Sequence, residues 1–364
     1  MYIKELSLIG FRNLEKTTIQ LSKNINIFYG ENAQGKTNLL ESIYLCATGR
    51  SQRTRIENNL IKFGEKESHI QSFIINKNKI NKIDIHLKRD SKKGVAVNGI
   101  VIKKLSQLLG NLYVVIFSPE DLRLIKEGPS ERRHFLDIEI CQINPLYYYN
   151  LQQYYKVLKQ RNRLLKTVSS SEELENTLSI WDNQLIEYGQ KIILQRTEFI
   201  DSLNIIAYKK HFKITGKKEN LCIQYKPNTT QETFEKRLIY YRKRDFFMKT
   251  TTVGPHKDDV QFLINENDVK IYGSQGQQKT TALSIKLAEI DLIYEKTGEF
   301  PVVLLDDVFS ELDKKRQNYL LESIENVQVI LTCTGIEDII QKYGGERSLY
   351  YIKDGKTTMK ESKT

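Results

Sequence analysis

The segment Gly30-Glu31-Asn32-Ala33-Gln34-Gly35-Lys36-Thr37 fits the pattern G-x-x-x-x-G-K-[ST] in full, and its residue types suit phosphate binding. Glycine at both ends lets backbone N–H groups curl around phosphate oxygens, and a helix starting directly after the loop adds positive potential. Lys36 is placed to bridge the β- and γ-phosphates of a nucleotide, and the Thr37 hydroxyl to ligate Mg²⁺. Glu31, Asn32, Ala33, Gln34 and Asn38 complete the expected contact set.

A second half-site lies far downstream in "VVLLDDVFSELD". An apolar strand ending in two acids places one carboxylate at a metal and the next near a γ-phosphate. Asp306 is the candidate for holding Mg²⁺, and Asp307 for polarising the attacking water. Between the two half-sites, "GSQGQQK" at 273–279 opens another helix with small polar residues. Taken alone it is an ordinary helix N-cap. A complete phosphate loop upstream leaves such a second cradle without a nucleotide of its own.

These residues need a scaffold that delivers them to one place. "IKELSLIGF" and "TTIQLSKNINIFYG" read as two strands, the second running into the phosphate loop. Leu39, Leu40, Ile43 and Tyr44 recur at helical spacing after it. Alternation in "NKIDIHLKRD", with turns expected at "KKG" and at Asn98-Gly99, marks an antiparallel meander over 65–105. The apolar run at 112–118 reads as a buried strand, and those at 301–307 and 327–335 as strands of a parallel sheet.

From Pro119 the sequence turns helical and polar, over about 131–166 and 172–212, with Ser-rich "TVSSSEE" between. Trp181, Leu185, Tyr188, Ile192 and Phe199 form a seam along one face of the second helix. The fold expected is α/β: a discontinuous head, 1–118 and 252–364, with an antiparallel β subdomain and an inserted helical domain at 119–251.

The chain has 364 residues and a formal net charge of +11, which favours a polyanionic partner. Residues 119–251 hold 23 Lys and Arg against 17 Asp and Glu, so over half of the excess lies in the insertion. Candidate DNA contacts are Lys156, Lys159, Arg161, Arg163 and Lys166 in one helix; Arg237, Arg242, Lys243 and Arg244; and Arg50, Arg53 and Arg55 after the phosphate-loop helix. Sequence-reading motifs are absent, which points to backbone contact rather than base readout. Four dispersed cysteines suggest neither zinc nor disulfides. With no leader and no membrane-length apolar run, a cytoplasmic protein is expected.

In this sequence order, the loop, "GSQGQQK" and the paired acids resemble the ABC ATPase superfamily. The resemblance makes Ser274, Gly276 and Gln277 a signature motif that covers the γ-phosphate held by a second copy, and "SELD" a D-loop with Asp313 at the dimer seam. "IKELSLIGFRNL" is similar to the opening of the SMC-like branch, in which Arg12 would reach the nucleotide. "VVIFSPEDLRLIKEGPSERRHFLD" and "TVGPHKDDV" resemble segments of the RecF family of bacterial recombination proteins. That likeness runs from residue 1 to about 335.

It implies a weak, DNA-stimulated ATPase that uses ATP and Mg²⁺ and dimerises on ATP. It further implies binding near single-strand gaps and junctions, and work with RecR and RecO to help RecA load during recombinational repair. Two departures stand out. "FSPEDL" offers no glutamine where ABC transporters carry one, and "ILTCTG" puts Thr332 or Thr334 where many carry a switch histidine. A transporter subunit would need that glutamine and a membrane-coupling surface. A nuclease-linked ATPase would need a further acidic cluster, for which only Asp258 and Asp259 offer themselves, and these read as structural.

Overall fold

The computed structural model describes residues 1–77, 79–167, 171–335 and 346–363. The chain divides into two compact units, Met1–Asp121 with Ile285–Thr364, and Leu122–Ser284.

The first unit opens with β1 (Tyr2–Ile9) and β2 (Thr17–Gln20), paired antiparallel. β3 (Ile25–Tyr29) follows and leads through the phosphate loop into α1 (Lys36–Thr48). The run 17–30 is therefore two strands serving different sheets, not one. The break is held by Ser22 and Asn26: Ser22 N donates to Asn26 Oδ1 at 2.8 Å, and Asn26 Nδ2 donates to Ser22 O at 3.0 Å.

β4 (Glu67–Asn76), β5 (Lys79–Lys88), β6 (Ser91–Val97) and β7 (Ile100–Val101) extend the first sheet in the order β2-β1-β4-β5-β6-β7. Buried residues alternate along β4 and β5, as a sheet packed on one face requires. Asn98 and Gly99 turn between β6 and β7 with φ of 53° and 79°, the left-handed pair a tight hairpin needs. The turn expected at Lys92–Gly94 falls instead at Arg89–Asp90, because Lys88 pairs with Ser91 and Gly94 lies within β6. β8 (Val114–Phe117) is buried at every position.

The second unit carries α2 (Leu122–Lys126), α3 (Pro129–Ile143), α4 (Pro145–Thr167) and α5 (Ser171–Ile214). The helix expected over 131–166 breaks at Asn144, whose Oδ1 accepts from Leu146 N and Tyr147 N and so caps α4. Arg161 meets Asp182, and Arg196 meets Tyr147, so α4 and α5 run antiparallel. Their expected Ser-rich link falls at 168–170, outside the described residues. Leu185, Ile192 and Phe199 of the expected seam are buried, whereas Trp181 and Tyr188 are half-buried.

β9 (Leu221–Lys226), α6 (Phe234–Tyr240), α7 (Arg242–Met248), β10 (Asp259–Ile264), β11 (Asn267–Asp268), α8 (Val269–Tyr272) and α9 (Gln275–Thr297) follow. β10 pairs antiparallel with β9 over six residue pairs. That pairing groups 252–284 with the insertion, whereas the sequence had placed it in the head. The second division falls between Ser284 and Ile285, within α9.

Two buried arginines organise this unit. Arg161, fully buried, donates to Asp182 and Asp245 at 2.6 Å each and to Thr251 Oγ1 at 2.8 Å. Arg196 donates to Asp258 at 2.9 Å and to Asp137 at 2.8 Å, while Arg132 holds Asp259 at 2.6 Å. Asp258 and Asp259 are thus engaged in ion pairs. Arg161, expected as a DNA contact, is corrected to an interior residue: its helical position faces α5 rather than solvent.

The chain returns to the first unit with β12 (Val302–Asp306), α10 (Lys314–Ser323), β13 (Val329–Cys333), β14 (Arg347–Lys353) and β15 (Lys356–Lys363). The sheet order is β15-β14-β3-β13-β12-β8, with β8 to β14 parallel and β15 antiparallel at the edge. β8, β12 and β13 are buried throughout, as strands covered on both faces must be. Among the described residues no helix is long and apolar enough to cross a membrane.

Removing Arg161 takes the cation from buried Asp245, while Asp182 keeps Arg242 at 2.7 Å, and costs about 3–5 kcal/mol. Arg161→Met is expected to lower the urea midpoint by that equivalent with an unchanged slope, while Lys159→Met at an exposed position leaves it in place. Urea unfolding followed by far-UV circular dichroism reads both.

Candidate nucleotide site

β3 ends at Tyr29 and hands the chain to a loop that only certain residues can form. Gly30, Ala33 and Gly35 take φ of 149°, 64° and 112°. A Cβ on Gly30 would sit 2.3 Å from Ile352 O of β14, and one on Gly35 would sit 2.7 Å from Asn13 Oδ1. The loop is therefore pressed from two sides, and glycine is required at both positions. α1 starts at Lys36 with no acidic residue in its first turn, which leaves its N-terminal potential positive. Lys36 Nζ donates to Gly30 O and Glu31 O, each at 2.7 Å, and so arches over the loop.

Neighbouring segments hold this shape. Gln34 Oε1 accepts from Asp354 N at 2.6 Å, Asn13 Nδ2 donates to Ala33 O at 3.2 Å, and Asn38 Nδ2 donates to Asn13 Oδ1 at 2.8 Å. Gln34 and Asn38 are thus engaged in supporting the loop, whereas Glu31, Asn32 and Ala33 are exposed at its tip. Asn13 was not singled out from sequence. No spacing rule links it to residues 33–38 or to Gly355, whose added Cβ would lie 2.2 Å from Asn13 O.

β12 places the acids. Asp306 is buried, and its Oδ1 accepts from Thr37 Oγ1 and from Thr332 Oγ1, both at 2.9 Å. The Thr332 oxygen also accepts from Asp307 N at 3.1 Å. One hydroxyl at the end of β13 therefore positions both acids, while Thr334 is exposed.

Asp307 stands in the left-handed region, φ 53°, which turns its side chain out of the strand. Burial raises the Asp307 pKa; Lys36 opposes that rise, and Asp306 and Glu311 add to it. Burial lowers the Lys36 pKa, and Asp307 opposes that fall more than Cys333 or Asp306 does. Burial pushes the Cys333 thiol up to about 12, so it stays protonated and unreactive beside them.

Arg12 donates from Nε and Nη2 to the two carboxylate oxygens of Glu41 at 2.9 and 2.8 Å, and from Nη1 to Asn59 O at 2.8 Å. Glu41 lies on α1 and is fully buried. Arg12 is thus tied to the helix that follows the loop. Arg50, Arg53 and Arg55 are exposed, and Arg53 Nη1 donates to Asn38 Oδ1 at 2.8 Å. Lys156, Lys159, Arg163 and Lys166 are exposed on α4, unlike Arg161.

Ser274, Gly276 and Gln277 lie in the second unit, at the start of α9. Ser274 Oγ accepts from Gln277 N at 3.2 Å, and Gln277 Oε1 accepts from Ser274 N at 2.9 Å, a reciprocal capping box. Ser274 itself is exposed. Asp313 caps α10 through Arg316 N at 2.9 Å and pairs with the Arg316 guanidinium. The structure therefore gathers the loop, Lys36, Thr37, Asp306 and Asp307 at the carboxyl ends of parallel strands, where ligands of open α/β sheets bind.

Comparison with known proteins agrees with this architecture. The model of the RecF/RecN/SMC N terminal domain matches residues 2–358. The DNA replication and repair protein RecF of Lachnospira eligens is 48% identical, covering 98% of each chain. Its counterpart in Clostridium botulinum is 46% identical over 98% of this chain and 99% of its own. A solved structure of the recombination mediator protein RecF with ATP, described as part of the RecFOR pathway, superposes with a TM-score of 0.91 at 38% identity, covering 99% and 98% of the two chains. An Smc head domain from Pyrococcus furiosus shares the fold, with a TM-score of 0.59 at 17% identity over 100% and 96% of the two chains. With the ABC-type head, the phosphate loop and this coverage together, the chain belongs to the RecF family.

Proposed function

We propose that the protein is an ATP-dependent DNA-binding protein of recombinational repair, which closes into a dimer on ATP and reopens after slow hydrolysis. The observation that carries this is the junction in which Thr37 and Thr332 both bond to Asp306 beneath the arch of Lys36. Such a junction presents a cation and backbone donors to phosphates and, one residue further on, a carboxylate to water.

The donor set suits Mg²⁺, because Thr37 Oγ1 and the Asp306 carboxylate are hard oxygens of the kind that ion takes. Bound there, the ion neutralises charge on the phosphate oxygens. The chain does the rest. Lys36 exchanges its bonds to Gly30 O and Glu31 O for phosphate oxygens, and the glycine loop supplies N–H donors. Asp307, with its raised pKa, accepts a proton from the attacking water. Asp is one methylene shorter than the Glu common at this place, which is consistent with slow turnover.

Ser274 stands exposed at a helix N-terminus, with its hydroxyl engaged in the local cap. In a head-to-tail pair it donates to the γ-phosphate held by the other copy, together with Gly276 and Gln277, while Asp313 belongs to the dimer seam. DNA is met through backbone phosphates by exposed basic residues, among them Arg50, Arg53, Arg55, Lys156, Lys159 and Arg163. By likeness to RecF proteins of the RecFOR pathway, this chain works with RecO and RecR to help RecA load at gaps and junctions. It acts in the cytoplasm.

Lys36→Met is expected to abolish ATP binding, whereas Ser274→Arg keeps ATP binding and loses ATP-dependent dimerisation; nucleotide titration and sedimentation velocity separate the two. Asp307→Asn, which tolerates the same left-handed backbone, is expected to dimerise with ATP while phosphate release falls about 10²–10⁴-fold. For duplex binding, log affinity is expected to fall with log salt by about 0.9 per phosphate neutralised. An affinity equal with and without ATP would contradict the gating.

A further inference from the structure

α6 and α7 are short helices with one buried side each. Phe234, Leu238 and Asp245 are buried, and Phe246 packs against Leu165 and Leu178. Their outer sides are unusual for a surface. Tyr240 is 79% exposed, Phe247 81% and Met248 59%. Exposed Lys236, Lys243 and Arg244 lie among these rings, and Glu235 is the one exposed acid from Phe234 to Thr250.

The rings and cations are arranged together. Tyr240 meets Tyr241 edge to face, with centroids 5.1 Å apart. Arg244 lies over the Tyr241 ring at 5.7 Å, and Phe246 meets Phe247 edge to face at 6.0 Å. On α7, Lys243 precedes Phe247 by four residues and Arg244 precedes it by three, so both cations share its helix face.

We propose that the outer faces of α6 and α7 bind single-stranded DNA, with Tyr240 and Phe247 as stacking platforms for bases and Lys243 and Arg244 as partners for phosphates. The proposal rests on the DNA-binding function proposed above and assigns it a second, strand-selective surface. Exposed rings stack only on bases already out of a duplex, and interleaved cations track the backbone between them. The excess of cations over exposed acids along the same stretch complements a polyanion.

The test measures fluorescence anisotropy of a labelled oligodeoxythymidine of about 16 nucleotides, and of a duplex of equal length. Wild type is compared with Tyr240→Ala/Phe247→Ala and with Tyr240→Phe/Phe247→Tyr. The positions are exposed, so circular dichroism and ATP-dependent dimerisation are expected to be unchanged. Each lost ring is expected to weaken oligodeoxythymidine binding about tenfold, leaving duplex affinity within about twofold, and the ring-preserving pair restores binding. An alanine pair that binds oligodeoxythymidine like wild type overturns the proposal, and is the result if the patch seats a protein instead. Equal losses on both DNAs also overturn it. Wild type binding neither DNA would refute DNA binding as a whole, and this surface with it.

Discussion

The hydrogen bond from Thr37 Oγ1 to Asp306 Oδ1, 2.9 Å long, joins residues separated by most of the chain. β3 leads through the loop to Thr37 in the first turn of α1, β12 carries Asp306, and β13 lies between β3 and β12 in the sheet. Only a parallel arrangement brings the carboxyl ends of all three to the same edge. Although the insertion separates β8 from β12 in sequence, β12 pairs in unbroken parallel register with both β8 and β13. Thr332, at the end of the middle strand, converts neighbouring strand ends into one polar junction by bonding to Asp306 and accepting from Asp307 N.

The electrostatics follow from that closeness. Lys36 is nearly buried and held by carbonyls, so burial disfavours its charge while Asp307 favours it. Asp307 carries the reciprocal balance. A triphosphate entering beside Lys36 stabilises the ammonium and disfavours the Asp307 anion. In the proposed function, nucleotide binding and water activation are therefore linked through these two side chains.

Much of the site was legible because its chemistry is local. Eight consecutive residues define the loop, and an apolar run ending in two acids defines the other half. The parallel strands β12 and β13 were equally plain, being buried throughout, whereas β14 carries no signal that sets it in the same sheet. What was hidden depends on long-range pairing. Asn13 supports the loop through Ala33 and Asn38, and Gly355 approaches Asn13 closely, with no periodicity to announce either contact. Arg161 sits in a run of basic residues, yet its helical phase turns it inward to Asp182 and Asp245. The second unit extends to Ser284 because β10 pairs with β9, a partnership that short strands do not declare in sequence.

The proposed pairing makes each nucleotide site a composite of Lys36 from one copy and Ser274 from the other. Sedimentation velocity with ATP on an equimolar mixture of Lys36→Met and Ser274→Arg chains tests this directly. Each variant alone is expected to remain monomeric. The mixture restores one complete site per pair, and is expected to form a dimer holding one ATP. A mixture that stays monomeric, or a Ser274→Arg chain that dimerises alone, would contradict the composite site.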